Sequence, residues 1–399
     1  MLGLVCRRSQ PTGAVRLAAR ARNLLPALWA ADKGSTAKTL YATPWYNKEP
    51  NVALYAPWSD VEHRIFRVLS FVKANVSARQ PDATVLQELY SDMELIRQVE
   101  LRLSTMFAGN QIPGFIHSSI GQEAVAVGVI RAMQSSDTLV STHRGHGHCV
   151  SRGLGLEKLF QEILGREAGV CKGRGGSMHI ADASLGMLGA NGIVGAGVPI
   201  ALGSALAQKT RKSKAVAVAF FGDGALGEGV IYECMNLASL WDLPLLFVCE
   251  HNGWSEFTPS SKEYCGDLIS IAAGFHIPGN VVDGSDVWAV NLAAKSALDA
   301  VRSGGRPQLL VCMAQRIRGH FEGDPQRYRD RSDIERAQAR DPITRALEEL
   351  HALGVPTDTT DAIRARSKEA VQTAAEAAQL APEPAICDLV GAVYFEGAV

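Results

Sequence analysis

The stretch AVAVAFFGDGALGEG, residues 215–229, restricts the fold of this chain more than any other. A β-rich apolar run ends in Gly222, Gly224 and Gly227. That is the G-x-G-x-x-G spacing with which a strand turns tightly into a helix beside a phosphate. A helical pattern over 227–241 and a second apolar run over 244–249, after Pro244, complete one β-α-β unit. Glu250 ends that second run, about where a dinucleotide fold keeps its ribose-binding acid. Asp223 does not fit so easily, because it stands between the first two glycines, where its charge would oppose a bare diphosphate. Three readings follow: a nicotinamide site without metal, a diphosphate site with a metal ion between Asp223 and the phosphates, or a plain structural turn.

Asn252 bears on that choice. It follows the second strand of the unit as Asp223 follows the first. The strands of a β-α-β unit are parallel, so both residues emerge at the carboxyl edge of the sheet, where α/β proteins bind ligands. A carboxylate and an amide oxygen are hard donors suited to Mg²⁺, which takes part of its oxygen shell from substrate phosphates. The glycines let the backbone approach the diphosphate, and a helix N-terminus near Ala225 faces it.

The rest of the chain extends this unit. Apolar residues recur at helical spacing over 85–108, and 121–133 and 154–164 read as further helices. Residues 286–302 read as a helix and 307–313 as a strand. Alternating strands and helices imply an α/β fold, a parallel sheet flanked by helices on both faces. A helical C-terminal tail runs over 341–380, with Asp341-Pro342 at its start. The expected organisation is a basic extension or transit peptide over 1–40, an irregular arm over 41–84, the α/β domain over 85–340 and the tail over 341–399. The first segment carries Arg7, Arg8, Arg16, Arg20 and Arg22 and has no acid before Asp32. A net charge of −1 points to no nucleic-acid partner, and no long uncharged apolar run points to a membrane span. Eight scattered cysteines without a C-x-x-C pair read as reduced thiols.

Further motifs follow in order: GFIHSSIGQEAVAVG (114–128), STHRGHGHCVSRG (141–153), CKGRGGSMHIAD (171–182), GMLGANGIVGAG (186–197) and RGHFEGDPQRYR (318–329). With them the chain resembles the α subunit of thiamine-diphosphate-dependent E1 components of 2-oxo acid dehydrogenase-type complexes. It looks closest to the acetoin dehydrogenase branch. The resemblance spans roughly 85–380 and implies the thiamine-diphosphate-binding fold with thiamine diphosphate and Mg²⁺ as cofactors. In such enzymes the thiazolium carbanion attacks a substrate carbonyl and the ring then holds the electrons of the broken bond.

The resemblance also implies roles. Asp223 and Asn252 would ligate the metal by side chain, and Trp254 by its carbonyl. Gly222, Gly224 and Ala225 would meet the diphosphate by backbone, with Arg144, Arg316 and His143 close by. His143 stands where the family often has Tyr. Gly192 and Val194 match positions that meet the aminopyrimidine. His117 and His320 match the active-site histidines, and imidazole exchanges protons near neutrality. Phe115 would form an apolar wall near the substrate. Lys172 and Arg174 invite a phosphate-binding reading, although a turn with solvated charges is the plainer one.

Three departures stand out. His251 replaces the first of two asparagines usual in the family. Leu226-Gly227-Glu228 replaces amide side chains, which bears on cofactor retention. Phe321 stands where some pyruvate-type relatives carry a regulatory serine, which argues against the pyruvate branch. The glutamate that activates the aminopyrimidine matches no motif here, and in the family a separate β subunit supplies it. The resemblance therefore implies an α2β2 heterotetramer, with the small-residue run over 192–207 as an interface helix, and a lipoyl-bearing E2 as acyl acceptor. Acetoin or a related α-carbonyl compound is the expected substrate, with pyruvate or a branched-chain 2-oxo acid as the alternative. A non-catalytic subunit and an NAD-dependent enzyme are further readings. The expected location is cytoplasmic, or the mitochondrial matrix if residues 1–40 are a transit peptide.

Overall fold

The computed structural model describes residues 80–304 and 306–386. The basic extension, almost all of the expected irregular arm, and residues 387–399 lie outside the described residues. The elements in chain order are α1 (Ala83–Ala108), α2 (Glu123–Ile130), β1 (Thr138–Val140), α3 (His146–Ser151), α4 (Leu156–Ile163), α5 (Gly197–Thr210), β2 (Ala217–Gly222), α6 (Gly229–Leu240) and β3 (Leu245–His251). There follow β4 (Trp254–Ser255), β5 (Thr258–Pro259), α7 (Ser260–Glu263), α8 (Leu268–Gly274), β6 (Gly279–Asp283), α9 (Val287–Gly304) and β7 (Gln308–Met313). Helices α10 (Arg331–Gln338), α11 (Pro342–Ala352) and α12 (Thr357–Leu380) close the chain.

Five strands form one parallel sheet in the order β1-β2-β3-β7-β6. The continuous apolar runs of β2 and β3 have the composition of strands covered on both faces. Alternate side chains accordingly enter two different cores. Val216, Val218, Phe220, Leu246 and Val248 pack with α1, α2, α9 and the C-terminal helices. Ala217, Ala219, Phe221, Leu245, Phe247 and Cys249 pack with α5, α6 and α8 on the other face. Each fully buried Phe or Leu contributes roughly 1.5–3 kcal/mol of transfer free energy. The α/β fold expected from the alternation is therefore present. Of the eight cysteines, the six within the described residues are free thiols. No helix among the described residues is long and apolar enough to cross a membrane.

Two helix boundaries differ from expectation. The helix expected over 227–241 begins only at Gly229, and residues Asp223–Gly227 form a tight 3₁₀ turn instead. Three glycines within 224–229 disfavour an α-helical start, so Ala225 lies in this turn and not at a helix N-terminus. The helix expected over 192–207 begins at Gly197. Before it, the Asn191 side chain accepts the Ile193 N–H at 2.8 Å and Gly195 takes φ +78°. An Asx turn and a left-handed residue together end any continuous helix there.

Candidate active site

The carboxyl ends of β1, β2, β3 and β7 lie along one edge of the sheet, because the strands are parallel. The first is followed by His143 and Arg144, the second by Asp223 and the third by Asn252. Arg316 and His320 follow β7. Most of the residues singled out from sequence surround one cavity of roughly 310 Å³, whereas Phe115, Lys172, Arg174, His251 and Phe321 are not in its lining. His117, His143, Arg144 and His320 line it together with Gly192, Val194 and the Gly222–Ala225 turn, and with Asn252, Trp254 and Arg316. The cavity is therefore built from segments spread from residue 117 to residue 320.

Asp223 is 2% exposed, and every hydrogen bond to it orders a neighbouring loop. Its Oδ1 accepts the Asn252 N–H at 3.2 Å, and its Oδ2 accepts the Gly253 N–H at 2.8 Å and the Ser260 hydroxyl. The Asn252 Oδ1 accepts the Trp254 N–H at 3.1 Å. Each of these two Oδ1 atoms thus keeps lone-pair capacity. A carboxylate, an amide oxygen and the Trp254 backbone at one cavity wall make an all-oxygen donor set that fits a hard divalent cation. The two-residue turn between β4 and β5 presents Trp254, with Glu256 at φ +47°. The turn also packs against the glycines, since a Cβ on Gly224 would sit 3.0 Å from the Ser255 hydroxyl. The ring nitrogen Nδ1 of His251 is 3.5 Å from the Asp223 carboxylate.

Arg144 and Arg316 are the two buried cations of the cavity, 6% and 2% exposed. Neither forms a salt bridge among the described residues. Arg144 donates to the carbonyls of Ser118 (2.6 Å) and His320 (3.1 Å). Arg316 donates to the Glu256 carbonyl and the Tyr328 hydroxyl, both at 2.9 Å, and its Nε has no partner. Burial, followed by the charge of Arg316, pushes Arg144 down to about 10. Burial also lowers Arg316. Two buried guanidiniums without a salt-bridge partner among the described residues are costly, and a cavity lined by both suits an anionic group.

His117, His143 and His320 meet beside these arginines, with ring centroids 4.7–5.7 Å apart. Three of their ring nitrogens, His117 Nδ1, His143 Nε2 and His320 Nδ1, are buried without a hydrogen-bond partner. Burial first, and the Arg144 charge second, push His117 down to about 3, His143 to about 2 and His320 to about 4. Near-neutral titration, expected for imidazole in general, is thus corrected for the ligand-free site. These rings are neutral at pH 7 and resist protonation while burial and the Arg144 charge act on them.

Buried acids that carry no sequence signal position these groups. Glu100, 1% exposed, accepts the backbone N–H (3.0 Å) and hydroxyl (2.7 Å) of Ser119 and faces His146 Nδ1 at 3.1 Å. His146 Nε2 reaches the Ser177 hydroxyl at 2.8 Å. Glu250 faces His148 at 3.4 Å and Ser141 bonds the other nitrogen of that ring at 2.8 Å, so Glu250 is not a free ribose-binding acid. The backbone of the glycine-rich loop of Lys172 and Arg174 is already engaged by an internal acid. The Glu162 carboxylate accepts the N–H groups of Cys171, Gly173, Gly175 and Gly176 at 2.7–3.1 Å. Gly121, at φ +98°, brings the His117 loop against the Gln315–Ile317 segment, where a Cβ would lie 2.8 Å from the Ile317 side chain.

Residues 91–387 match the profile of the dehydrogenase E1 component family. The chain is 43% identical over 308 residues to the α subunit of acetoin:2,6-dichlorophenolindophenol oxidoreductase from Bacillus subtilis, covering 77% of this chain and 92% of the relative. The protein of the same name from Cupriavidus necator is 42% identical over 318 residues, covering 78% and 95%. The pyruvate dehydrogenase E1 component α subunit of Zymomonas mobilis is 39% identical over 307 residues, covering 76% and 87%. With the parallel sheet and its anion-seeking cavity, these matches show that the chain belongs to the dehydrogenase E1 component family, thiamine-diphosphate-dependent enzymes.

Proposed function

We propose that this chain is the α subunit of a two-chain E1 enzyme that cleaves acetoin or a closely related uncharged α-carbonyl compound with thiamine diphosphate and Mg²⁺. The observation that carries the cofactor reading is the pair of buried, salt-bridge-free guanidiniums of Arg144 and Arg316 facing the Asp223 turn. A diphosphate supplies their counter-charge, and Mg²⁺ relieves its repulsion with Asp223. The substrate reading rests on the two acetoin-oxidising relatives, with Phe321 in support.

In this reading Asp223, Asn252 and the Trp254 carbonyl hold the metal. The N–H groups of the Gly222–Ala225 turn and the two arginines hold the diphosphate. Gly192 and Val194 meet the aminopyrimidine by backbone. When bound, the cofactor supplies the electron sink for breaking the bond beside the substrate carbonyl. His117 Nδ1 and His320 Nδ1 are the unpartnered atoms that accept and return protons at the substrate oxygens. Bound diphosphate would offset the Arg144 charge that depresses these neutral imidazoles and so raise their basicity toward the working range, and His143 continues their cluster. The activating glutamate comes from a β subunit in an α2β2 assembly, docked in part on the exposed Ile193, Val194 and Ile200 before and within α5. A lipoyl-bearing E2 takes the acyl group, and we place the complex in the cytoplasm.

The test is to tag the chain in its own host, isolate its partner, and assay reduction of an artificial electron acceptor with thiamine diphosphate and Mg²⁺. Acetoin, pyruvate and a branched 2-oxo acid are compared side by side. A copurified β chain and a rate with acetoin alone is the expected result. A preference for pyruvate would keep the enzyme class and discard the substrate, and a partner without any rate would leave a non-catalytic subunit.

A further inference from the structure

Next to the histidine side of the cavity stands a row of aromatic side chains from three separate loops. Phe115 precedes His117, Phe257 sits in the turn between β4 and β5, and Phe321 follows His320. Phe115 meets Phe321 edge-on at 5.6 Å, and Phe257 meets Phe321 at 6.5 Å and His320 at 5.8 Å. The Phe115 and Phe321 loops are tied to each other and to α1, because the Glu322 N–H donates to the Ile116 carbonyl at 2.9 Å and the Ser104 hydroxyl to the Glu322 carboxylate at 2.8 Å. Phe115 and Phe257 nonetheless remain 58% and 43% exposed, so they are surface rings beside the cavity histidines and not a core.

The charge around these rings is equally specific. The three histidines beside them are neutral at pH 7. Arg144 is turned onto the carbonyls of Ser118 and His320. Arg316 is held between Trp254 and Tyr328, 5.7 and 5.9 Å from their ring centroids. Arg318, near Phe321 in sequence, has Glu322 as its own counter-ion at 3.9 Å. A carboxylate passing the phenylalanines would lose water among apolar rings, and in the E1 reading Arg144 and Arg316 are already taken by the diphosphate. An uncharged ketone pays no such cost.

We propose that Phe115, Phe257 and Phe321 form a specificity-determining vestibule that admits short uncharged hydroxyketones and diketones and excludes 2-oxo acids. This rests on the E1 reading above and adds to it the feature that selects substrate charge.

The experiment uses the assembled complex with thiamine diphosphate and Mg²⁺, with kcat/KM measured for acetoin and pyruvate. The wild-type, Phe321→Leu and Phe321→Arg complexes are compared, and size-exclusion chromatography confirms β-subunit association for each. The wild type should prefer acetoin, and Phe321→Leu should keep that ratio within about threefold, because size and not charge has changed. Phe321→Arg should shift the ratio toward pyruvate by about tenfold or more, through a cation placed among these rings. An assembled Phe321→Arg complex with an unchanged ratio would overturn the vestibule while leaving the E1 reading intact, as would a wild-type preference for pyruvate. Should Phe321→Arg fail to assemble, Phe257→Lys in the same row is read by the same ratio. A wild-type complex with no rate on any carbonyl substrate would sink the E1 reading and this proposal with it.

Discussion

Arg144 donates through Nη2 to the backbone carbonyl of His320 at 3.1 Å, although 176 residues separate them. Its other terminal nitrogen holds the Ser118 carbonyl at 2.6 Å, next to His117. One side chain therefore bridges the loops of both proposed proton carriers, and in the proposed reading it also supplies charge for the diphosphate. Lysine keeps the charge but cannot fork to two carbonyls. Arg144→Lys is expected to weaken cofactor binding by about 10–100-fold and to lower kcat at saturating cofactor as well. Titration of the cofactor against activity separates the two effects. An unchanged kcat would assign Arg144 to binding alone.

Asp223→Asn tests the metal. The amide offers one acceptor oxygen where the carboxylate accepts three hydrogen bonds on two oxygens. Mg²⁺-dependent retention of the cofactor should fall by at least about tenfold, and the melting temperature should drop by about 2–4 °C per kcal/mol lost. Calorimetric titration of Mg²⁺ in the presence of cofactor reads the first effect. Undiminished Mg²⁺ dependence would remove Asp223 from the ligand set.

The histidine cluster makes an acid-lability prediction. In the folded chain His143 is depressed to about 2, against an ordinary value of 6.5. The unfolded chain therefore binds a proton that the folded chain refuses as pH falls below about 6.5. The stability from keeping the ring neutral is fully present above that value and drains as pH falls toward about 2. Each such ring contributes up to about 1.4 kcal/mol per pH unit to the slope of stability in this window. His143→Gln should flatten the slope between about pH 6 and pH 4, measured by urea unfolding of the cofactor-free chain. An identical slope would contradict the burial argument.

Glu162→Gln addresses the loop over residues 171–176. The native carboxylate is fully buried and takes four backbone N–H groups. The amide keeps one acceptor and turns a donor toward donors, so a loss of about 2–4 kcal/mol is expected, with new protease cleavage in that loop.

Asp223 and Asn252 were legible because one strand, one helix and one strand place them on the same edge whatever the rest of the fold does. The histidines and arginines were legible only through motif resemblance, and their meeting depends on β1 and β7 lying on either side of β2 and β3. No local pattern specifies that order. Strands β1 and β6 are three and five residues long, too short for periodicity to announce them. Glu100 and Glu162 sit in helices, where an acid usually reads as solvated. Only the loops packed over them reveal that they are buried hubs. The depressed histidines were equally invisible, because desolvation is a property of the assembled cavity and not of the residue.

The placement of β7 between β3 and β6 has a consequence in time. Among the described residues the last strand to leave the ribosome is an interior one, and the segment after it carries Arg316 and His320. Until β7 inserts, β6 has no neighbour in the sheet and the cavity lacks one of its two cations. Parallel pairing of this kind closes long loops before it is rewarded, so it is slow. Cofactor capture should therefore be among the last events in the maturation of the chain, and its onset would mark completion of the whole sheet.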